Sequence, residues 1–201
     1  SITTGFSLKN PELLFCSNLS DGGYGILIRP GISKIDNALY NSYSNDDLRK
    51  TLFFNKQPNG EANFKGSYDG YNWYFSGLAL DEVLLIRAET YARMNRVEES
   101  MNDLNKLIVK RWKNNGSFVP FTAGNSQDAL QLILTERRKE LVQRGTRWTD
   151  LRRLNLEGAN IILSRILDGQ IYTLNPNDKR YTYLIPQDVM SFNPKLVQNP
   201  R

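Results

Sequence analysis

Glu136 and Glu140 stand one helical turn apart, and of all the titratable residues they come nearest to an acid/base pair. A glycosidase needs one carboxyl group to protonate the leaving oxygen and a second to attack or to activate water. The basic residues around them argue against that use. Arg137, Arg138, Arg144, Arg147, Arg152 and Arg153 supply enough guanidinium groups to pair every nearby carboxylate, and a paired carboxylate stays ionised instead of holding a proton to give away. The block from Glu136-Arg137-Arg138 to Arg147-Trp148-Thr149-Asp150-Leu151-Arg152-Arg153 therefore reads as an ion-pair and packing lattice between one helix and a shorter Arg-rich one, with Trp148 packed inside it. Histidine is absent, which removes imidazole general acid/base catalysis, the Ser-His-Asp constellation and imidazole metal ligands together. The single cysteine, Cys16, excludes an internal disulfide and a Cys-only zinc site, and after Leu13-Leu14-Phe15 it reads as a half-buried structural thiol. Asp21-Gly22-Gly23-Tyr24-Gly25 lacks the Lys-Ser/Thr of a phosphate loop and reads as a turn, and no Asp/Asn loop has EF-hand spacing. The expectation is a protein without catalytic residues, cofactor or metal.

Aromatic residues offer a different chemistry. Tyr24, Tyr40, Tyr43, Tyr68, Tyr71, Trp73 and Tyr74 crowd the first part of the chain. Rings on loops can stack on the apolar face of a sugar while Tyr hydroxyls and nearby Asn or Asp side chains meet its hydroxyls, or they can simply cover a core. The segment Tyr68-Asp69-Gly70-Tyr71-Asn72-Trp73-Tyr74 alternates rings with small or polar residues just before the first clear helix. Its candidate ligand residues are Tyr68, Asp69, Tyr71, Asn72 and Trp73, with Trp73 offering the largest stacking area. The competing reading is that Trp73 and Phe75 anchor the loop in the core.

The elements that must hold these residues follow from the pattern. Residues 1–77 carry turn signals at Asp21-Gly22-Gly23, Arg29-Pro30-Gly31, Pro58-Asn59-Gly60 and Asp69-Gly70, and read as long loops with short helices or strands on a ligand side. From Leu78 the periodicity becomes helical: Leu80, Leu84, Ala88 and Tyr91 share a face of a helix ending near Met94, and Asn95 suits a left-handed turn. Val97, Met101, Leu104 and Ile108 mark a second helix, Val97 to Trp112, stopped by Asn115-Gly116. The pair, residues 78–113, is spaced like one tetratricopeptide unit, with Ala88, Tyr91, Asn95, Ser100, Leu104 and Leu107 near its packing positions. Such a unit needs stacked neighbours. In the remaining segment, 114–201, a third helix starts at Ser126 as N-cap and closes at Gly145; a short helix covers Thr146 to Leu154 and another apolar segment Ile161 to Leu167. Ile171–Leu174 and Tyr181–Ile185 read as a β-hairpin around Asn175-Pro176-Asn177-Asp178, and prolines keep the end of the chain irregular. The fold class is mainly α, one region over residues 1–201.

With 201 residues, 40% hydrophobic and 23% charged, the chain is in the globular range. It opens on Ser1 without a leader, which suggests a processed chain or a piece of a longer one, with any targeting sequence upstream. The 26 basic and 21 acidic residues give +5. Between Arg87 and Arg153, 14 basic residues face 8 acidic ones, so the excess lies in one segment. There the charges interleave at helical spacing, as in Glu89/Arg93, Glu136/Lys139 and Glu140/Arg144, which favours salt-bridged helix faces over a nucleic-acid surface.

Several stretches resemble the C-terminal region of the SusD/RagB family of nutrient-binding outer-membrane lipoproteins: Asp81 to Arg93, then Glu136-Arg137-Arg138-Lys139-Glu140-Leu141 with Gly145 and Arg147 to Arg153, then Ile185-Pro186-Gln187-Asp188 and Asn193-Pro194 to Pro200. The resemblance covers most of residues 47 to 200, with Val189 where Glu is usual and Arg201 where Gly is common. It implies a superhelix of tetratricopeptide-like pairs with a loop-rich ligand face, no enzymatic activity, and a surface protein that binds a nutrient, most often glycan, and caps a SusC-like TonB-dependent transporter. It also implies an N-terminal half lying outside this chain, with most of the repeats and the lipidated cysteine of an outer-membrane anchor. The alternative is a helical-repeat scaffold binding protein or peptide alone.

Overall fold

The computed structural model describes residues 10–19, 34–65 and 74–201 of the chain, with Asn18, Leu19 and Tyr74 as backbone. The fold is mainly helical with small two-stranded sheets, and its contacts divide into two units, residues 1–145 and 146–201.

The first unit begins with β1 (Leu13–Phe15) and β2 (Asn18–Leu19). Two short helices follow, α1 (Asn37–Asn41) and α2 (Leu48–Phe53), started by Asp36 and Asp47, whose carboxylates accept from Ala38 N and Arg49 N. An Asp N-cap satisfies a backbone donor that the first turn leaves open. A hairpin of β3 (Phe54–Lys56) and β4 (Ala62–Phe64) follows α2 directly. Ile35, Tyr43, Phe53, Phe54, Ala62 and Phe64 bury one aromatic core between them. Phe54 meets Tyr40, Tyr43 and Phe64 with ring centroids 5.3–6.3 Å apart, mostly edge to face, the arrangement ring quadrupoles prefer. Of the loop aromatics, Tyr43 is thus a core residue and Tyr40, half-buried, packs against it.

β5 (Tyr74–Phe75) pairs with β2, and β6 (Leu78–Ala79) pairs with β1. The chain then enters the helical hairpin, α3 (Leu80–Arg93) and α4 (Val97–Ile108), the latter extended by a 3-10 turn over Val109–Arg111. Asn95 takes φ 59° at the turn, as its type suggests. Acidic residues open both helices, complementing the helix dipole. Met101, Leu104 and Ile108 form the inner face of α4 as expected. The inner face of α3 is turned from the expected one: Asp81, Leu85, Ala88, Glu89 and Ala92 are buried, Leu84 and Tyr91 are half-buried, and Leu80 is exposed. Apolar residues occupy more than one side of this helix, so periodicity alone selected the wrong stripe.

α5 (Ser126–Glu140) completes this core through Ala129 and Ile133, with Leu141 just beyond it. Its N-cap is Asn125, one residue before the expected Ser126; Asn125 Oδ1 accepts from Asp128 N at 2.9 Å. It ends at Glu140, and Gln143 and Gly145 at positive φ form the following turn. Trp112, which sequence left unassigned, packs on this core and meets Phe118 at 5.8 Å. Cys16 is exposed, against the half-buried thiol expected.

The second unit holds α6 (Arg147–Leu156), β7 (Leu163–Leu167), β8 (Gln170–Leu174), a 3-10 turn (Lys179–Tyr181) and α7 (Gln187–Phe192). The β-hairpin is real but one step earlier than expected. Leu163 pairs with Leu174 and Leu167 with Gln170 around Asp168-Gly169, at φ 49° and 77°. A two-residue hairpin loop of type I′ needs both central residues at positive φ, which Asp-Gly supplies. Tyr181–Ile185 is not a strand, and the Pro-rich end admits α7 because Pro186 sits at its N-cap, where no helical N–H is required.

Candidate functional site

Glu136 and Glu140 lie on the inner face of α5, with side chains only 4% and 0% exposed. Between them sits Arg49 of α2. Its Nη2 donates to Glu136, its Nη1 to Glu140 Oε2 at 2.9 Å, and its Nε and Nη2 to the two oxygens of Asp47 at 2.9 and 2.7 Å. Arg111 continues the network, donating from Nε to Glu140 Oε1 at 2.7 Å and from Nη1 and Nη2 to Glu12 at 2.9 and 2.6 Å. Lys139 Nζ binds Glu136 at 2.7 Å and lies 3.6 Å from Asp47. Tyr43 roofs the cluster: Arg49 and Lys139 lie over its ring at 5.6 and 5.1 Å, and its hydroxyl donates to Lys139 O at 2.7 Å.

Burial alone would raise Glu140, but Arg111 and Arg49 hold it below the usual glutamate value. Burial likewise opposes the charge on Arg49, and its carboxylates more than restore it. Burial pushes the Tyr43 phenol far above its ordinary range. Glu140 is therefore a fixed anion closed off from solvent, with nothing of a general acid about it. The cluster ties α2, the end of the helical hairpin and α5 together. Glu89/Arg93 and Glu136/Lys139 pair as expected. Past the end of α5, Arg144 binds Asp81 Oδ2 at 3.1 Å and approaches Glu82 at 3.7 Å. The pivot, Arg49, was missed, since nothing local in the sequence links it to residues 87 and 91 positions away.

The five candidate ligand residues, Tyr68, Asp69, Tyr71, Asn72 and Trp73, lie outside the described residues, as does Tyr24. What is described is the chain on either side of them. On one side β4 ends in buried Phe64, and Lys65 N donates to Phe53 O at 2.8 Å. On the other, Phe75 is wholly buried, with the Arg144 guanidinium 4.5 Å above its ring. Arg144 Nη2 also reaches Gly77 O at 3.4 Å. Gly77 is pressed against β1 so closely that a Cβ would lie 2.0 Å from Phe15 O and 2.9 Å from the Phe75 ring. Of the two residues named as possible anchors, Phe75 is one. The described chain on either side of the aromatic segment is thus held by packing.

In the second unit Trp148 is a packing residue, but its contacts among the described residues are aromatic residues later in the chain and not the arginines around it: its Nε1 donates to Tyr181 O at 3.3 Å and its ring meets Tyr181 at 4.8 Å and Tyr183 at 6.1 Å. Among the described residues no group of His, Cys, Asp and Glu could hold a metal ion, and no helix is long and apolar enough to cross a membrane.

No curated protein matches the chain by sequence. Among solved structures it is similar to a SusD-like carbohydrate binding protein from Bacteroides vulgatus ATCC 8482, with 22% identity and TM-score 0.64 over 97% of this chain and 50% of the other. A SusD superfamily protein from Bacteroides fragilis NCTC 9343 matches with 19% identity and TM-score 0.64 over 100% of this chain and 54% of the other. Surface glycan-binding protein A from Bacteroides uniformis matches with 20% identity and TM-score 0.65, over 94% and 48%. At these identities the likeness is one of fold, and the chain spans about half the length of each. The sequence profile of the SusD family matches residues 51–201, three quarters of the chain and both units of the fold, and the chain belongs to that family.

Proposed function

We propose that this chain is part of a non-enzymatic surface protein that binds glycan and delivers it to a SusC-like TonB-dependent transporter in the outer membrane, anchored there by a lipid. The observation that carries the reading is the family match over residues 51–201. Two of the similar structures are described as carbohydrate-binding and glycan-binding. The aromatic segment supports it: a stacking platform needs a fixed base, and Phe64 and Phe75 bury the chain at both ends. Tyr68, Asp69, Tyr71, Asn72 and Trp73 are the proposed ligand residues, with Trp73 as the stacking ring.

A glycan array on the intact protein, followed by calorimetry on Trp73→Ala, tests this. Affinity should fall about tenfold, the worth of one aromatic contact, with the melting temperature unchanged. A lowered melting temperature with glycan affinity retained would make Trp73 an anchor. Co-purification with a TonB-dependent barrel tests delivery. The second reading, a scaffold for protein or peptide, draws on the exposed Leu80, Val83 and Ile86 of α3. Peptide capture without any glycan binding would establish it.

A further inference from the structure

A cavity of about 310 Å³ opens in the second unit between α6 and the chain from residue 177 to 200. That is the lower end of small-molecule sites, about 300–1,000 Å³. Its charge is unbalanced. Arg152 and Lys179 line it, and neither has an acidic partner among the described residues. The one carboxylate on the wall, Asp178, is already spent: it accepts from Arg180 N, Nε and Nη2 at 2.8, 2.9 and 2.7 Å, and Arg180 holds it ionised down to about 2.

The polar lining is held ready as well. Asn177 donates to Asn155 O at 3.3 Å and Asn199 to Tyr183 O at 2.7 Å, which fixes both amides and leaves their Oδ1 atoms to accept. Tyr181, also on the wall, is only 5% exposed, and its buried hydroxyl has no partner among the described residues. That hydroxyl is closed off from solvent, so Tyr181 serves as wall and its hydroxyl does not meet a ligand. Leu156 and Pro200 add apolar surface beside these groups.

We propose that this cavity binds a sugar acid, a hydroxylated ring bearing a carboxylate. Arg152 and Lys179 take the carboxylate, the guanidinium through its two-pronged fork. Asn177 and Asn199 take ring hydroxyls, and Leu156 and Pro200 face the ring. The site shares no residue with the segment at 66–73, so either can fail alone.

Calorimetric titration of the intact protein with D-galacturonate and D-glucuronate, against galactose, glucose and inorganic sulfate, tests the chemistry. One uronate should bind at least about tenfold more tightly than its neutral parent, the worth of a charge-assisted contact. Arg152→Ala should remove that advantage. Lys179→Ala should weaken uronate binding severalfold without lowering the melting temperature, since Lys179 lines the cavity and is exposed. Trp73→Ala should leave uronate affinity unchanged. Sulfate binding as tightly as the uronates would mean a bare anion site and overturn the proposal, as would uronate affinity unchanged in Arg152→Ala or in Lys179→Ala, or no uronate binding at all. Uronate affinity lost in Trp73→Ala but kept in Arg152→Ala would place the ligand at the aromatic segment, overturning this proposal and leaving the glycan-binding one standing.

Discussion

Arg49 donates to three buried carboxylates on two distant stretches of chain, Asp47 beside it and Glu136 and Glu140 on α5. Truncating it strands them in a site they cannot leave, and one-sided removal of a buried partner costs about 3–5 kcal/mol. Arg49→Ala should lose that much in denaturant unfolding of the intact protein. A loss of about 1 kcal/mol or less, the worth of an exposed pair, would show the cluster to be incidental. The same contacts set a pH dependence. Glu140 is held below its ordinary value of 4.5, so its contribution to stability is complete above that value and is lost as the pH falls through the lower folded one. Arg49→Ala should therefore flatten the acid limb of the stability profile. The arginine density around Glu136 and Glu140 was enough to tell an ion-pair lattice from an acid/base pair. Its partners were not legible: Glu140 lies within one turn of Arg144 in sequence but pairs with Arg49 and Arg111, because Gln143 at φ 57° ends the helical spacing.

Elements were legible where a local rule had one answer. Asn95 marked its turn, and α4 showed a single apolar face. α3 failed because it carries apolar residues on opposing sides, and the hairpin was misplaced because Asn175-Pro176-Asn177-Asp178 looked a stronger turn than Asp168-Gly169, which alone supplies two adjacent positive φ values. Gly77 carried no signal at all, since its reason is a neighbour 62 positions back in sequence, Phe15. It lets β1 and the buried Phe75 ring close on one another where the aromatic segment re-enters the described fold. In Gly77→Ala a methyl would stand 2.0 Å from a backbone oxygen, and backbone cannot swing aside as a side-chain end can. The loss should reach about 3 kcal/mol, the upper part of the overpacking range, and amides of Leu13–Phe15 should exchange faster. Stability within about 0.5 kcal/mol of the wild type would mean that β1 is not held against Gly77.

Among the described residues, many of the basic side chains are already held by carboxylates: Arg87 by Asp103, Arg96 by Glu99, Arg111 by Glu12 and Glu140, Arg138 by Asp36, Arg144 by Asp81. Duplex DNA should accordingly bind no more tightly than the nonspecific range, about 10⁻⁴–10⁻⁶ M at physiological salt, and sequence-dependent binding in a mobility-shift assay would contradict this. The apolar surface is less balanced. Leu80, Val83 and Ile86, stepping by three along α3, are 42%, 43% and 52% exposed, and Ile166 and Ile171, paired across the hairpin, are 71% and 68% exposed. A helix with apolar residues on two sides is built to be packed on two sides, and the similar structures described above carry about as much chain again. Expressed by itself, the chain should therefore melt with low cooperativity or associate through these faces. In sedimentation the mean mass should rise with concentration, and Val83→Glu with Ile86→Lys should reverse the rise without lowering the melting temperature, because neither side chain is buried. A wild-type chain that stays monomeric and unfolds in one sharp transition would mean that α3 needs no second partner.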